Sequence, residues 1–265
     1  MNELALFAGA GGGILGGKLL GWKTVCAVEC DSYAASVLVS RQNDGILEPF
    51  PVWDDVKTFD GKPWRGIVDV VSGGFPCQDV SQASPTATGI EGERSGLWVE
   101  MARVVCEVRP QYVFVENSPM LTTRGLGRVL GDLAQMGFDA KWGVLGAHHV
   151  GAPHERGRIW ILAHTNGLSG TGRGQCPIHE SEDRRRGNNQ IGSVGDDRIR
   201  PIQKTRSHPF STIVRQGKTQ WWKTEPSVGR VVDGVADRVG KLRAIGNGQV
   251  PAVARLAWDT LVEKI

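Results

Sequence analysis

"ELALFAGAGGGILGGKLLG", residues 3–21, decides the fold. Residues 3–7 read as a short buried strand, and "ILGGKLLG" reads as helix. Gly9, Gly11, Gly12 and Gly13 stand between them. Glycines let a backbone turn tightly and come close to a ligand. "KTVCAVECD", residues 23–31, predicts a second strand that ends in Glu29 and Asp31, about twenty residues past the glycines. A carboxylate in that position can bind the two hydroxyls of a ribose. The pair of features therefore predicts a nucleoside-containing cofactor, in preference to a structural turn beside a solvated acid. A dinucleotide wants its pyrophosphate at the helix N-terminus. Phe7 leaves an aromatic ring beside the turn, which also suits an adenosyl or sulfonium ligand. Composition does not choose between these.

The pattern continues outward from that stretch. "SYAASVLVSRQN" predicts a helix capped by Ser32, and "GIVDVVSGG" a third strand. "SGLWVEMARVVCEVRP" spaces Leu97, Met101, Val104, Val105 and Val108 as one face of a helix. "QYVFVEN" is a fourth strand, "RGLGRVLGDLAQMGF" a helix and "RIWILAH" a further strand. Strands alternating with helices through residue 164 predict an α/β fold. It is Rossmann-like and doubly wound, a mostly parallel sheet with helices on both faces. Ligands of such sheets sit off the carboxyl ends of the strands. The glycines follow strand one, the acids strand two, Cys77 strand three and Glu116 strand four, so all of them fall at that edge.

Residues 165–223 are different. Gly, Asn, Ser, Arg and Gln dominate, and eleven Lys or Arg face five Asp or Glu, a local net of +6 in a chain of net +3. The remainder is near −3. A basic segment on a near-neutral body predicts a polyanionic partner; the alternative is a solvated insertion. "VGKLRAIGNGQVPAVARLAWDTLVEKI" then returns to order, with a glycine loop, Pro251 at a helix start and an amphipathic last helix. Three regions follow: a catalytic and cofactor-binding domain over 1–164, a small basic loop-rich region over 165–223, and a segment over 224–265 that returns to the first.

The 265 residues are 40% hydrophobic and 22% charged, as in ordinary globular chains. No apolar run approaches the roughly 18 residues of a membrane span. The N-terminus breaks into glycine at once, unlike a signal peptide. The five cysteines are odd in number and irregularly spaced, with no CxxC pair. That predicts neither a zinc site nor a disulfide framework, and a reducing cytoplasm.

In "VVSGGFPCQDVSQ", residues 70–82, Cys77 follows a proline at the end of a strand and is flanked by polar residues. An inert thiol prefers an apolar wall; a rigid, polar perch suits a nucleophile. Glu116, in "FVEN", ends a neighbouring strand. A carboxyl in such a crevice can carry a raised pKa and act as a proton donor. A thiolate adding to a heteroaromatic ring needs such a partner, because addition pushes electrons onto a ring nitrogen. Otherwise Glu116 is a solvated acid or pairs with an arginine. His148, His149 and His154 in "AHHVGAPH" lack suitably spaced carboxylates, so no metal is expected.

Seven stretches, "LFAGAGGG", "ECD", "GGFPCQDVS", "RSGLW", "FVEN", "GAPHERGRIWILA" and "IGNGQVP", resemble in order and spacing the motifs of the DNA cytosine-5 methyltransferases, of bacterial or phage type. The resemblance covers residues 3–164 and 241–263. It implies a methyltransferase fold, S-adenosylmethionine as methyl donor and a flipped cytosine in double-stranded DNA as substrate, the DNA methylation of restriction–modification. It implies that Cys77 attacks carbon 6 of cytosine. Glu116 would contact ring nitrogen 3 and the exocyclic amine, and Arg158 with Arg156 would hold the base and the glutamate. Phe7, Gly9, Gly11, Glu29, Asp55 and Asn247 match cofactor-binding positions. Residues 165–223 match the region that reads the target, where Arg184, Arg185 and Arg186 would meet phosphates. Ser118 stands where valine is usual, and Gly157 where a glutamate commonly separates the arginines. The expected protein is a cytoplasmic monomer with no membrane partner. Two alternatives predict different behaviour. An NAD-type oxidoreductase gives Cys77 no role, and a non-catalytic relative binds DNA without turnover.

Overall fold

A computed structural model describes residues 1–76, 96–165, 244 and 246–263, and the backbone of 199–201. Its centre is one sheet in the order β3-β2-β1-β4-β5-β7-β6-β8. The strands are β1 (Asn2–Leu6), β2 (Lys23–Val28), β3 (Val52–Trp53), β4 (Val70–Gly73), β5 (Tyr112–Asn117), β6 (Asp139–Leu145), β7 (Arg158–His164) and β8 (Ile199–Pro201). The helices are α1 (Gly12–Leu19), α2 (Ser32–Asn43), α3 (Gly96–Val108), α4 (Leu126–Gln135) and α5 (Pro251–Val262).

β1 to β5 run parallel, because helices or long crossovers return the chain between them. β7 is the exception: it lies antiparallel between β5 and β6. The link from β6 to β7 carries only a 3-10 turn at Ala147–Val150, too little for a crossover helix. The expected doubly wound sheet is therefore present with one reversed strand.

Period-2 alternation sorts the strands' side chains onto two faces. Leu4, Leu6, Val113, Val115, Ile159 and Ile161 join the α3 and α4 residues Trp98, Met101, Val105, Val129 and Leu133 in one cluster. Phe114, Trp160 and Leu162 point the other way, against Trp22 and the α5 residues Ala257, Trp258 and Leu261. Trp22 and Phe114 both meet Trp258 edge-to-face, with centroids 4.6 and 5.5 Å away. Each such pair adds about 0.5–1.5 kcal/mol beyond burial. α2 closes the β1–β2 end through Leu38, packed with Ala5 and Ala27.

The N-cap of α2 is Asp31, not Ser32: the Asp31 carboxylate accepts from Ala34 N at 3.0 Å. An acid is the better cap because it satisfies an unpaired amide and meets the positive helix end. Pro251 opens α5 at its first turn, where its missing N–H costs nothing.

Candidate active site

The carboxyl ends of β1, β2, β4 and β5 border a crevice of about 830 Å³. A nucleoside-sized ligand with a second group beside it fits that volume. Phe7, Gly9, Glu29, Asp55, Glu116, Arg158 and Asn247 all line it. Gly11 and Arg156 do not line it, and Cys77 lies outside the described residues, directly after Pro76, which lines the crevice.

At the β1 end the chain turns sharply. Phe7 adopts φ 52, a left-handed conformation rare for an aromatic residue. Such strain persists only where surrounding contacts enforce it, and it concentrates at functional sites. Gly9 follows at φ 55 and donates its N–H to Glu29 Oε2 at 2.6 Å. Glu29 Oε1 accepts from Asp31 N at 2.7 Å. Two backbone donors thus orient the Glu29 carboxylate, and each oxygen keeps a lone pair free for a ligand hydroxyl. Gly11 caps α1 in the left-handed region, under Leu38.

Asp55 is held from the other face of the sheet. Arg103 on α3 pairs with Glu100 and Glu107 at 2.8 and 3.0 Å. The same guanidinium donates to Val56 O and Phe59 O, which fixes the loop that presents Asp55.

Glu116 is 8% exposed. Arg158 Nε lies 2.9 Å from its Oε1, and Gln249 Nε2 donates to its Oε2 at 3.4 Å. Burial pushes the carboxyl up to about 7; the Arg158 guanidinium and the Gln249 amide pull it back part of the way. Gly74 makes room for it, since a Cβ there would stand 2.7 Å from Glu116 Oε2. Near neutral pH this acid exists in both protonation states, which a proton-donating group requires.

The arginines flanking Gly157 have different partners. Arg158 holds Glu116. Arg156, with φ 36, also acts on Glu116 through its charge, and it donates to Gly246 O at 2.8 Å and Gly248 O at 2.5 Å, tying the Asn247 loop to the β7 entry. Ser118 caps the 3-10 helix Pro119–Thr122 through its hydroxyl, which valine cannot do.

Three residues of the site were not anticipated from the sequence. Asn117 donates from Nδ2 to Phe75 O at 3.1 Å and accepts from Ser118 N at 2.7 Å. It pins the segment leading to Cys77 onto β5. Gln249 sits two residues past Asn247 in the same glycine motif, and that proximity was the available signal. Cys30 lines the crevice as a free thiol; burial, then the Glu29 and Asp31 charges, raise its pKa. Cys106 on α3 is disulfide-bonded. Irregular spacing predicted no such bond, but pairing depends on which cysteines the fold brings together. The His148 and His149 rings lie tilted against each other with centroids 3.9 Å apart, and no described His, Cys, Asp and Glu form a metal-binding cluster. Among the described residues no helix is long and apolar enough to cross a membrane.

This sheet order, with its reversed β7 and its crevice beyond β1, β2 and β4, is the fold of the S-adenosylmethionine-dependent methyltransferases. Solved methyltransferases share it. A Spodoptera frugiperda DNMT2 mutant matches 78% of this chain and 56% of its own, at TM-score 0.52 and 19% identity. The S. pombe Dnmt2 methyltransferase matches 63% and 50%, at TM-score 0.50 and 22% identity. The family model for C-5 cytosine-specific DNA methylase matches residues 1–254, and the chain belongs to that family. It is 37% identical over 177 residues to the Type II methyltransferase M.Eco47II of Escherichia coli, covering 63% of this chain and 40% of that protein. It is 35% identical over 164 residues to M.CviJI of Paramecium bursaria Chlorella virus IL3A, covering 61% and 42%. The chain thus spans about two-fifths of these curated relatives.

Proposed function

We propose that the protein transfers a methyl group from S-adenosylmethionine to carbon 5 of a cytosine extruded from double-stranded DNA. The observation that carries this reading is Glu116: a buried acid with a pKa near 7, locked to Arg158, beside the segment that leads into Cys77.

Carbon 5 of cytosine is too weak a nucleophile to take a methyl group unaided. In the proposed reaction the Cys77 thiolate adds to carbon 6, and electron density moves onto ring nitrogen 3. Protonated Glu116 donates a hydrogen bond to that nitrogen and stabilises the charge. Arg158 keeps the carboxyl aimed into the crevice. Carbon 5 becomes enamine-like and accepts the methyl group; a base removes its proton, and elimination frees Cys77. The base must leave the duplex stack to reach this depth.

The crevice residues fit the cofactor. Glu29 would offer oriented lone pairs to ribose hydroxyls, Asp55 would hold the adenine end, and Gly9 and Phe7 would border the sulfonium. Asn247, held through Arg156, closes the pocket. When bound, S-adenosylmethionine supplies an electrophilic methyl on sulfur. Basic residues 165–223 would neutralise DNA phosphates and read the target.

Incubation with labelled S-adenosylmethionine and mixed-sequence duplex DNA tests this. Label in 5-methylcytosine, lost in Cys77→Ser, is the expected result. Cofactor and DNA binding without label in the wild type would refute it.

A further inference from the structure

A polar row crosses the α1 face of the sheet behind Glu116. Glu3 on β1 is 1% exposed. Its Oε2 accepts from Thr24 Oγ1 at 2.7 Å and its Oε1 from Ser72 Oγ at 2.6 Å. An acid in so apolar a strand is unexpected, and no role assigned above uses it. Ser72 and Glu3 also border a small cavity whose other walls include Glu116, Gln249 and Trp160. The space open to a water's centre there is about 10 Å³, enough for one molecule.

Trp160 supplies an independent sign of a ligand. It pairs with Glu116 across the β5–β7 ladder, so both side chains share this face. Its Nε1 is buried with no hydrogen-bond partner among the described residues. Buried donors are almost always satisfied, by protein or by an ordered water. A water here would meet an indole donor, a hydroxyl and a carboxylate, as many partners as buried waters usually make.

We propose that this cavity holds one structural water, and that Glu3, Ser72 and the water form a proton path to the rear of Glu116. The proposal rests on the role given to Glu116 above. Substrate in the crevice cuts off solvent from the front of that acid. A rear supply then lets it regain a proton within the closed complex. The transfer balances. When Glu3 is protonated the bond to Ser72 reverses: Glu3 gives its carboxyl proton to Ser72 Oγ, Ser72 passes its own to the water, the water passes one to Glu116, and Ser72 again donates to Glu3 as observed. Glu3 is left as carboxylate, stabilised by Thr24 and Ser72, and Glu116 is left protonated.

The surroundings suit a proton store. Burial raises the Glu3 pKa, with only the Ser72 and Thr24 hydroxyls to lower it. α1 and α5 meet the row with Gly13, Gly16, Gly17 and Ala254, which bring no charge. The charged groups facing Glu116 are Arg158 and Arg156, both on the β7 side.

Two measurements on the full chain test this. In protein labelled with nitrogen-15 at tryptophan, Trp160 Hε1 should show a cross-relaxation signal to a long-lived water; its absence overturns the proposal. Single-turnover methyl transfer should slow about tenfold in Glu3→Gln and Ser72→Ala at pH 8, where Glu116 is deprotonated in solution. At pH 6 the variants should match wild type, and Ser72→Thr, which keeps the hydroxyl, should recover the rate at pH 8. Equal slowing at both pH values would show a packing role only and overturn the proton path; so would no slowing at either. A water signal at Trp160 in a protein that binds S-adenosylmethionine and DNA yet transfers no methyl group would retain the water and refute both the path and the methyltransferase reading.

Discussion

Arg158 Nε sits 2.9 Å from Glu116 Oε1, at the point where antiparallel β7 meets the end of β5. The pair is unequal. Glu116 is buried, while the Arg158 side chain keeps 28% of its surface exposed. The cation therefore orients the acid and only partly offsets the cost of burying it.

Removing the cation exposes this balance. Arg158→Ala should raise the Glu116 pKa above about 7, because the largest lowering influence is gone. Carbon-13 NMR of labelled glutamate reads the shift directly. An unchanged titration would show that Arg158 does not act on Glu116.

Stability should follow the same acid. A folded pKa raised from 4.5 to about 7 favours folding below the ordinary carboxylate range. That contribution disappears as pH climbs from about 4.5 to 7, and amounts to about 3–4 kcal/mol at roughly 1.36 kcal/mol per pKa unit. Glu3, also raised by burial, acts in the same direction. Glu116→Gln should flatten the urea-unfolding stability curve across this window. A wild type whose stability does not fall there would contradict the assignment.

Asn117→Asp swaps a donor for an acceptor opposite Phe75 O. The buried carbonyl loses its partner, at about 1–3 kcal/mol. Urea unfolding should show that loss, and methyl transfer should fall further than stability explains, because the segment entering Cys77 is released.

Arg156→Ala frees the Gly246 and Gly248 carbonyls. We expect the KM for S-adenosylmethionine to rise about tenfold, a loss near 1.4 kcal/mol, with kcat little changed. A kcat effect of that size with constant KM would place Arg156 at the base instead.

Gly74→Ala sets a methyl group 2.7 Å from Glu116 Oε2. The carboxyl must move, and displacements of this scale cost about 10²-fold in rate. Circular dichroism should stay native.

Much of this was legible in the sequence. Gly9 and Glu29 announced the crevice, and strand–helix alternation announced the sheet. The direction of β7 was not read, because "RIWILAH" carries no mark of its neighbour's polarity. The short, glycine- and proline-bearing link at 146–157 was the available clue, since no crossover helix fits it. Arg156 and Arg158 look equivalent in sequence; Arg156, with its left-handed backbone, bonds the Gly246 and Gly248 carbonyls, while Arg158 pairs directly with Glu116. Glu3 passed as one residue of a strand, although an acid among Leu4, Ala5 and Leu6 predicts a buried partner. That partner, Ser72, is 69 residues away, and only the β1–β4 pairing brings them together.

Trapping the adduct tests the central claim most directly. Duplex DNA bearing 5-fluorocytosine blocks proton removal at carbon 5. With S-adenosylmethionine present, the account predicts a protein–DNA complex that survives denaturation and is absent in Cys77→Ser. A protein that binds both ligands yet leaves no such complex, or one that Cys77→Ser still forms, would contradict it.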